Sequence, residues 1–181
     1  DSGSMAYALA TPTKRSAVAN TQALFLVLSP VLICAVGCVS RIIALEKFMG
    51  EVDVVQNVAL YAGMYLLAEA VGGICYLGSC LFNQSRWAAA FGGGTAVWFF
   101  IASLLGMFGT EDMVNVGVGV EELDVFNRLT LVGLYDIDAL STVGSGSVDN
   151  AFVWKLCVLA GVAVITYAIG SIHFQRKDLP I

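Results

Sequence analysis

Residues 22–43 read QALFLVLSPVLICAVGCVSRII, a run whose only charge is Arg41, near its end. A helix of this length covers the hydrocarbon core of a bilayer, roughly 30 Å thick and needing about 20 apolar residues. Three more runs share this character. Residues 58–82 are interrupted only by Glu69, residues 87–108 (WAAAFGGGTAVWFFIASLLGMF) carry no charge, and residues 152–174 carry Lys155 close enough to their start to snorkel. The chain as a whole is 58% hydrophobic and 13% charged, with a mean hydropathy of +0.82, well away from a soluble domain. No run alternates with period two, and strands in lipid would have to close into a barrel. The sequence therefore predicts an all-α integral membrane protein with four transmembrane helices.

Charge orients these spans. The net charge is −5, but its distribution matters more than its sum. Lys14 and Arg15 precede the first span, Arg86 sits in the tight turn between the second and third, and Arg176 and Lys177 follow the fourth. Four spans alternate, so these places share one side. The other side receives Glu46, Glu51 and Asp53, then Glu111, Asp112, Glu121, Glu122, Asp124, Asp136, Asp138 and Asp149. Lys and Arg mark the cytoplasmic face. The expectation is a multi-pass protein of the cell membrane with both ends cytoplasmic and acidic loops outside. Arg41, Lys47 and Arg128 run against this pattern but are locally outnumbered by carboxylates, which the rule weighs lightly.

The connection 109–151 is too long for a passive link. Its later half, VEELDVFNRLTLVGLYDIDALSTVGSGS (120–147), mixes apolar and charged residues as an external interfacial or re-entrant helical pair would. GSGSVDN (144–150) then reads as a flexible link, with Asp149 or Asn150 as N-cap of the last helix. The opening DSGSMAYALATPTKRS lacks the apolar core of a cleavable signal peptide.

Few residues invite chemistry. Glu69 is the one acidic residue near the middle of a span, where insertion costs roughly 3 kcal/mol. It reads either as a polar contact on a substrate route or subunit interface, or as a protonated carboxyl bonded to a neighbouring helix. Cys34 and Cys38, four apart, could form a metal or redox pair, though small apolar packing is the plainer reading. Gly92 to Gly94 lack the Lys-Ser or Lys-Thr of a phosphate loop and read as close-packing or hinge positions, as do Gly72 and Gly73. Ala68 and Gly72 make a small-xxx-small pair. His173, the single histidine, reads as an interfacial anchor, and Pro30 should kink the first span. Asp136 and Asp138 read as solvated loop surface. No nucleophile–base pair, catalytic carboxylate pair or basic aromatic patch occurs, so the residues suggest no enzyme, no cofactor in this chain and no nucleic acid.

Several landmarks together resemble type 2 ATP-binding-cassette (ABC) transporter permeases. GSMAYALATPTKRSAVANTQ (3–22) is similar to the cytoplasmic segment of that family that runs through Thr/Ser-Pro and Lys-Arg into a helix. GSCLFNQSRWAAAFGGG (78–94) is similar to its tight cytoplasmic turn, FNRLTLVGLYD (126–136) to its external stretch before the last helix, and FQRKDLPI (174–181) to its ending. The resemblance spans nearly the whole chain in order. Family members have six spans, so it implies that these four are helices three to six, the first two being absent here. It also implies a membrane-spanning permease subunit, an exporter by expectation, that forms a translocation path with a second permease chain, identical or similar, and couples to a cytoplasmic ATP-binding subunit. ATP hydrolysis belongs to that partner. Residues 1–20 would hold the coupling segment, with Met5, Tyr7, Leu9 and Pro12 offering contact and Lys14 and Arg15 pinning it at the headgroups; Glu69 would lie on the path or a helix interface. The alternative is a non-transporting membrane scaffold or assembly protein whose helices only pack.

Overall fold

A computed structural model describes residues 15–50, 52–141, 143 and 151–176 of the chain. Among the described residues there are helices and no strand. Four long helices, α1 (Arg15–Met49), α2 (Val54–Leu81), α3 (Ser85–Met107) and α7 (Ala151–Arg176), contain the four apolar runs. Each is long and apolar enough to cross a membrane, and the chain is a multi-pass, all-α membrane protein. Three short helices, α4 (Glu111–Asn115), α5 (Asp124–Leu129) and α6 (Ile137–Ser141), lie between α3 and α7, with 3₁₀ turns at Glu121–Leu123 and Val132–Leu134.

The helices outrun the apolar runs, most of all α1. Its 35 residues extend about 52 Å at 1.5 Å each, so its ends project beyond a hydrocarbon core. Glu46 and Lys47 therefore sit on a helix rather than in the expected loop. Local signals set these limits. Gly50 adopts φ +77°, the left-handed conformation that ends helices. Asp53 then caps α2, its carboxylate accepting from the Val55 and Gln56 amides at 2.9 and 3.1 Å. Pro30 lies inside α1, which stays helical across it. The proline deprives the Leu26 carbonyl of its backbone donor, and the Ser29 hydroxyl donates to that carbonyl instead, at 3.5 Å.

α2 is the hub. It packs most extensively against α7 and also against α1 and α3, while α1 touches α7. Gly73 makes the α2–α7 approach possible, because a Cβ there would overlap the Thr166 side chain and press on the Ala163 carbonyl. Gly92 likewise packs on Cys75, whereas Gly93 and Gly94 face open space, so only the first of the three glycines has the packing role expected of them. The Ala68–Gly72 pair does not form a seam either: Ala68 is exposed, and Gly72 instead admits the Tyr167 hydroxyl. The outward faces of α1 and α3 present Phe25, Leu32, Ile33, Val97 and Phe100, as helices solvated by lipid do.

At the end where α1 starts and α7 finishes, Ala19, Tyr76, Cys80 and Phe174 form a buried cluster. The Tyr76 hydroxyl donates to the Ala19 carbonyl at 3.2 Å and lies 3.1 Å from the Ser171 hydroxyl, tying three helices together. Arg86 belongs to this end too, in the first turn of α3. It donates to Gln84 Oε1 at 2.8 Å and lies over the Trp87 ring. His173 is exposed near the end of α7.

The opposite end is closed by the short elements. At six and five residues α5 and α6 extend roughly 9 and 7.5 Å, so the expected helical pair takes the form of short cap turns. Gly63 of α2 admits Tyr135 and Leu140 from this cap; a Cβ there would come within 2.9 Å of both. The Tyr135 hydroxyl donates to the Leu60 carbonyl at 3.1 Å, and burial raises this phenol above its ordinary pKa, keeping it a donor. Asp136 has two duties. One carboxylate oxygen accepts from the Ala139 amide at 3.0 Å, capping α6, and the other pairs with Lys155 of α7 at 2.7 Å. Asp136 is thus no solvated loop residue, and the Lys155 ammonium meets a carboxylate instead of only headgroups. The side chain of Asp138, the proposed caps Asp149 and Asn150, and the linker 144–150 lie outside the described residues.

Candidate functional site

Between α1, α2 and α7 lies a cleft of about 510 Å³, within the range of small-molecule sites. Its walls are mostly apolar, from Ala23 and Val27 on α1 to Ala160 and Ala163 on α7. Its mouth opens sideways, between Leu24 and Val164, which are 58% and 67% exposed. With these helices set across a bilayer, an opening among such apolar lips would face lipid.

Three polar side chains converge on this wall. Glu69, at the middle of α2, is only 4% exposed. Tyr65, one helical turn earlier on the same face, and Tyr167 from α7 line the cleft beside it. Both phenols are electrostatically coupled to the Glu69 carboxyl, and Tyr167 is the neighbour placed to bond it. The other oxygen, Oε1, is buried with no hydrogen-bond partner among the described residues. Among the described residues no Lys, Arg or His lines the cleft. Asn20 adds one amide near the end where α1 begins.

The outcome for the sequence-derived residues is uneven. Glu69 lines a cleft, as a route residue should, but its carboxyl is only half satisfied by a neighbouring helix. Met5, Tyr7, Leu9, Pro12 and Lys14 lie outside the described residues, and Arg15 opens α1. Cys34 and Cys38 share a half-buried face of α1, and among the described residues no three His, Cys, Asp or Glu side chains converge on a metal position. Tyr65 and Tyr167 were not singled out from sequence. The i, i+4 spacing of Tyr65 and Glu69 was a usable signal; Tyr167, nearly a hundred residues further along, left none.

Compared with models of known families, with curated proteins and with solved structures, the chain matches none.

Proposed function

We propose that this chain is a membrane transport subunit whose α1–α2–α7 cleft lies on the substrate's route. The observation that carries the reading is the state of Glu69. A mid-span carboxyl is costly to insert, and such residues usually line a polar path or interface. An unpaired buried oxygen costs about 1–3 kcal/mol; among the described residues Glu69 Oε1 and Asn57 Oδ1 are both buried without a partner, and Glu69, unlike Asn57, also lines a cleft large enough for a ligand.

The finer reading is a permease of the ABC type, an exporter working with a second permease chain and a cytoplasmic ATP-binding subunit, in the cell membrane with both ends cytoplasmic. Its support is the ordered resemblance of residues 3–22, 78–94, 126–136 and 174–181, together with the shared sidedness of Lys14, Arg15, Arg86, Arg176 and Lys177. In that reading Met5, Tyr7 and Leu9 contact the ATPase.

A tag after Ile181, mild-detergent extraction from native membranes and mass spectrometry with an ATPase assay test it. Recovery of a nucleotide-binding subunit, lost on replacing Met5 and Tyr7, is the expected result. Recovery of other membrane proteins without ATPase activity would favour the scaffold reading instead.

A further inference from the structure

We infer that the Glu69 cleft is a binding site for an amphipathic amine: a compact apolar body bearing one protonated nitrogen, taken in from the bilayer. This names a ligand class for the site proposed above and rests on that reading.

Four features select this chemistry. Glu69 Oε1, without a partner among the described residues, is an acceptor that calls for a donor. Among the described residues no basic side chain lines the cleft, so a cationic donor would meet the carboxylate without competition, whereas an anion would be repelled. Tyr65 and Tyr167 flank the carboxyl with aromatic rings, which also attract a cation when water is excluded. Apart from the Asn20 amide the remaining wall is aliphatic, and the exposed Leu24 and Val164 stand at its mouth, so the ligand's body must be largely apolar and its approach lateral. A sugar or a peptide backbone would bring several polar groups that these walls leave unsatisfied.

The test uses the full chain in lipid nanodiscs and three probes of matched shape: 1-aminoadamantane, 1-adamantanol and 1-adamantanecarboxylate. Saturable binding above that of empty nanodiscs is measured for each. The amine should bind at about one per chain, with the alcohol at least about tenfold weaker, as loss of a buried ion pair implies, and the carboxylate giving no saturable signal. Glu69→Gln should weaken the amine by the same tenfold or more and leave the alcohol unchanged. Val164→Trp, which blocks the mouth without touching the carboxyl, should reduce both. Equal binding of amine and alcohol, or full amine binding by Glu69→Gln, overturns the inference. The tagged-chain pull-down separates the two levels: recovery of the ATPase with no preference for the amine removes the ligand class alone, and amine binding without an ATPase removes the transporter reading alone.

Discussion

The capped end of the bundle and its middle treat their carboxylates in opposite ways. At the cap, Asp136 uses both carboxylate oxygens, one on the Ala139 amide and one on Lys155. Tyr135 finds the Leu60 carbonyl, and Gln56 of α2 donates to the Ser141 carbonyl at 2.5 Å. In the middle, Glu69 is more deeply buried and lines a cleft, yet one of its oxygens has no partner among the described residues. Asp136, a carboxylate that serves folding, is closed off by its partners. One that serves a ligand leaves valence unused, at a cost in stability. The contrast separates a structural carboxylate from a functional one within a single chain.

Steric change at the hub should produce the largest effect. Gly73→Leu forces a side chain into Thr166 and the Ala163 carbonyl, and should cost about 3 kcal/mol or more by overpacking, read as loss of a monodisperse species in detergent. A retained peak with wild-type unfolding would mean that α2 and α7 pack elsewhere. Next comes the cap's ion pair, whose groups are 25–30% exposed, between the surface and buried regimes. A double-mutant cycle of Asp136→Asn and Lys155→Met should return a coupling of about 1–2 kcal/mol in SDS-titration unfolding. Coupling near zero would erase the distinction between the two carboxylates. Tyr135→Phe removes one neutral hydrogen bond and should cost about 1 kcal/mol, with amine binding in the cleft unchanged. Ser29→Ala should cost no more than about 0.5 kcal/mol, because the hydroxyl only partly replaces the donor that Pro30 removes.

How much of this was legible in sequence depends on the range of the forces involved. The four long helices were, because crossing a bilayer demands a local signal: about 20 apolar residues in a row. Helix ends were less so. Glu46 and Lys47 look like loop residues by polarity, yet nothing breaks the helix before Gly50, and a helix leaving the membrane can carry charge freely. Asp136 was misread because its partner, Lys155, lies across a linker and on another helix, and pairing over that distance leaves no trace in composition. Glu69 stood out through its cost alone. Its cleft did not, since the empty space depends on where Ala163 and Tyr167 fall against α2, a matter of packing between elements remote in sequence.

The most direct test measures two properties of two variants in one preparation: unfolding free energy by SDS titration and saturable 1-aminoadamantane binding, for Glu69→Gln and Asp136→Asn. Glu69→Gln should hold its stability to within about 0.5 kcal/mol, since the amide can still meet Tyr167, while amine binding falls tenfold or more. Asp136→Asn should lose about 1 kcal/mol or more and bind the amine normally. The opposite pattern, with Glu69→Gln destabilised and its amine binding intact, would make Glu69 a packing group and contradict the account.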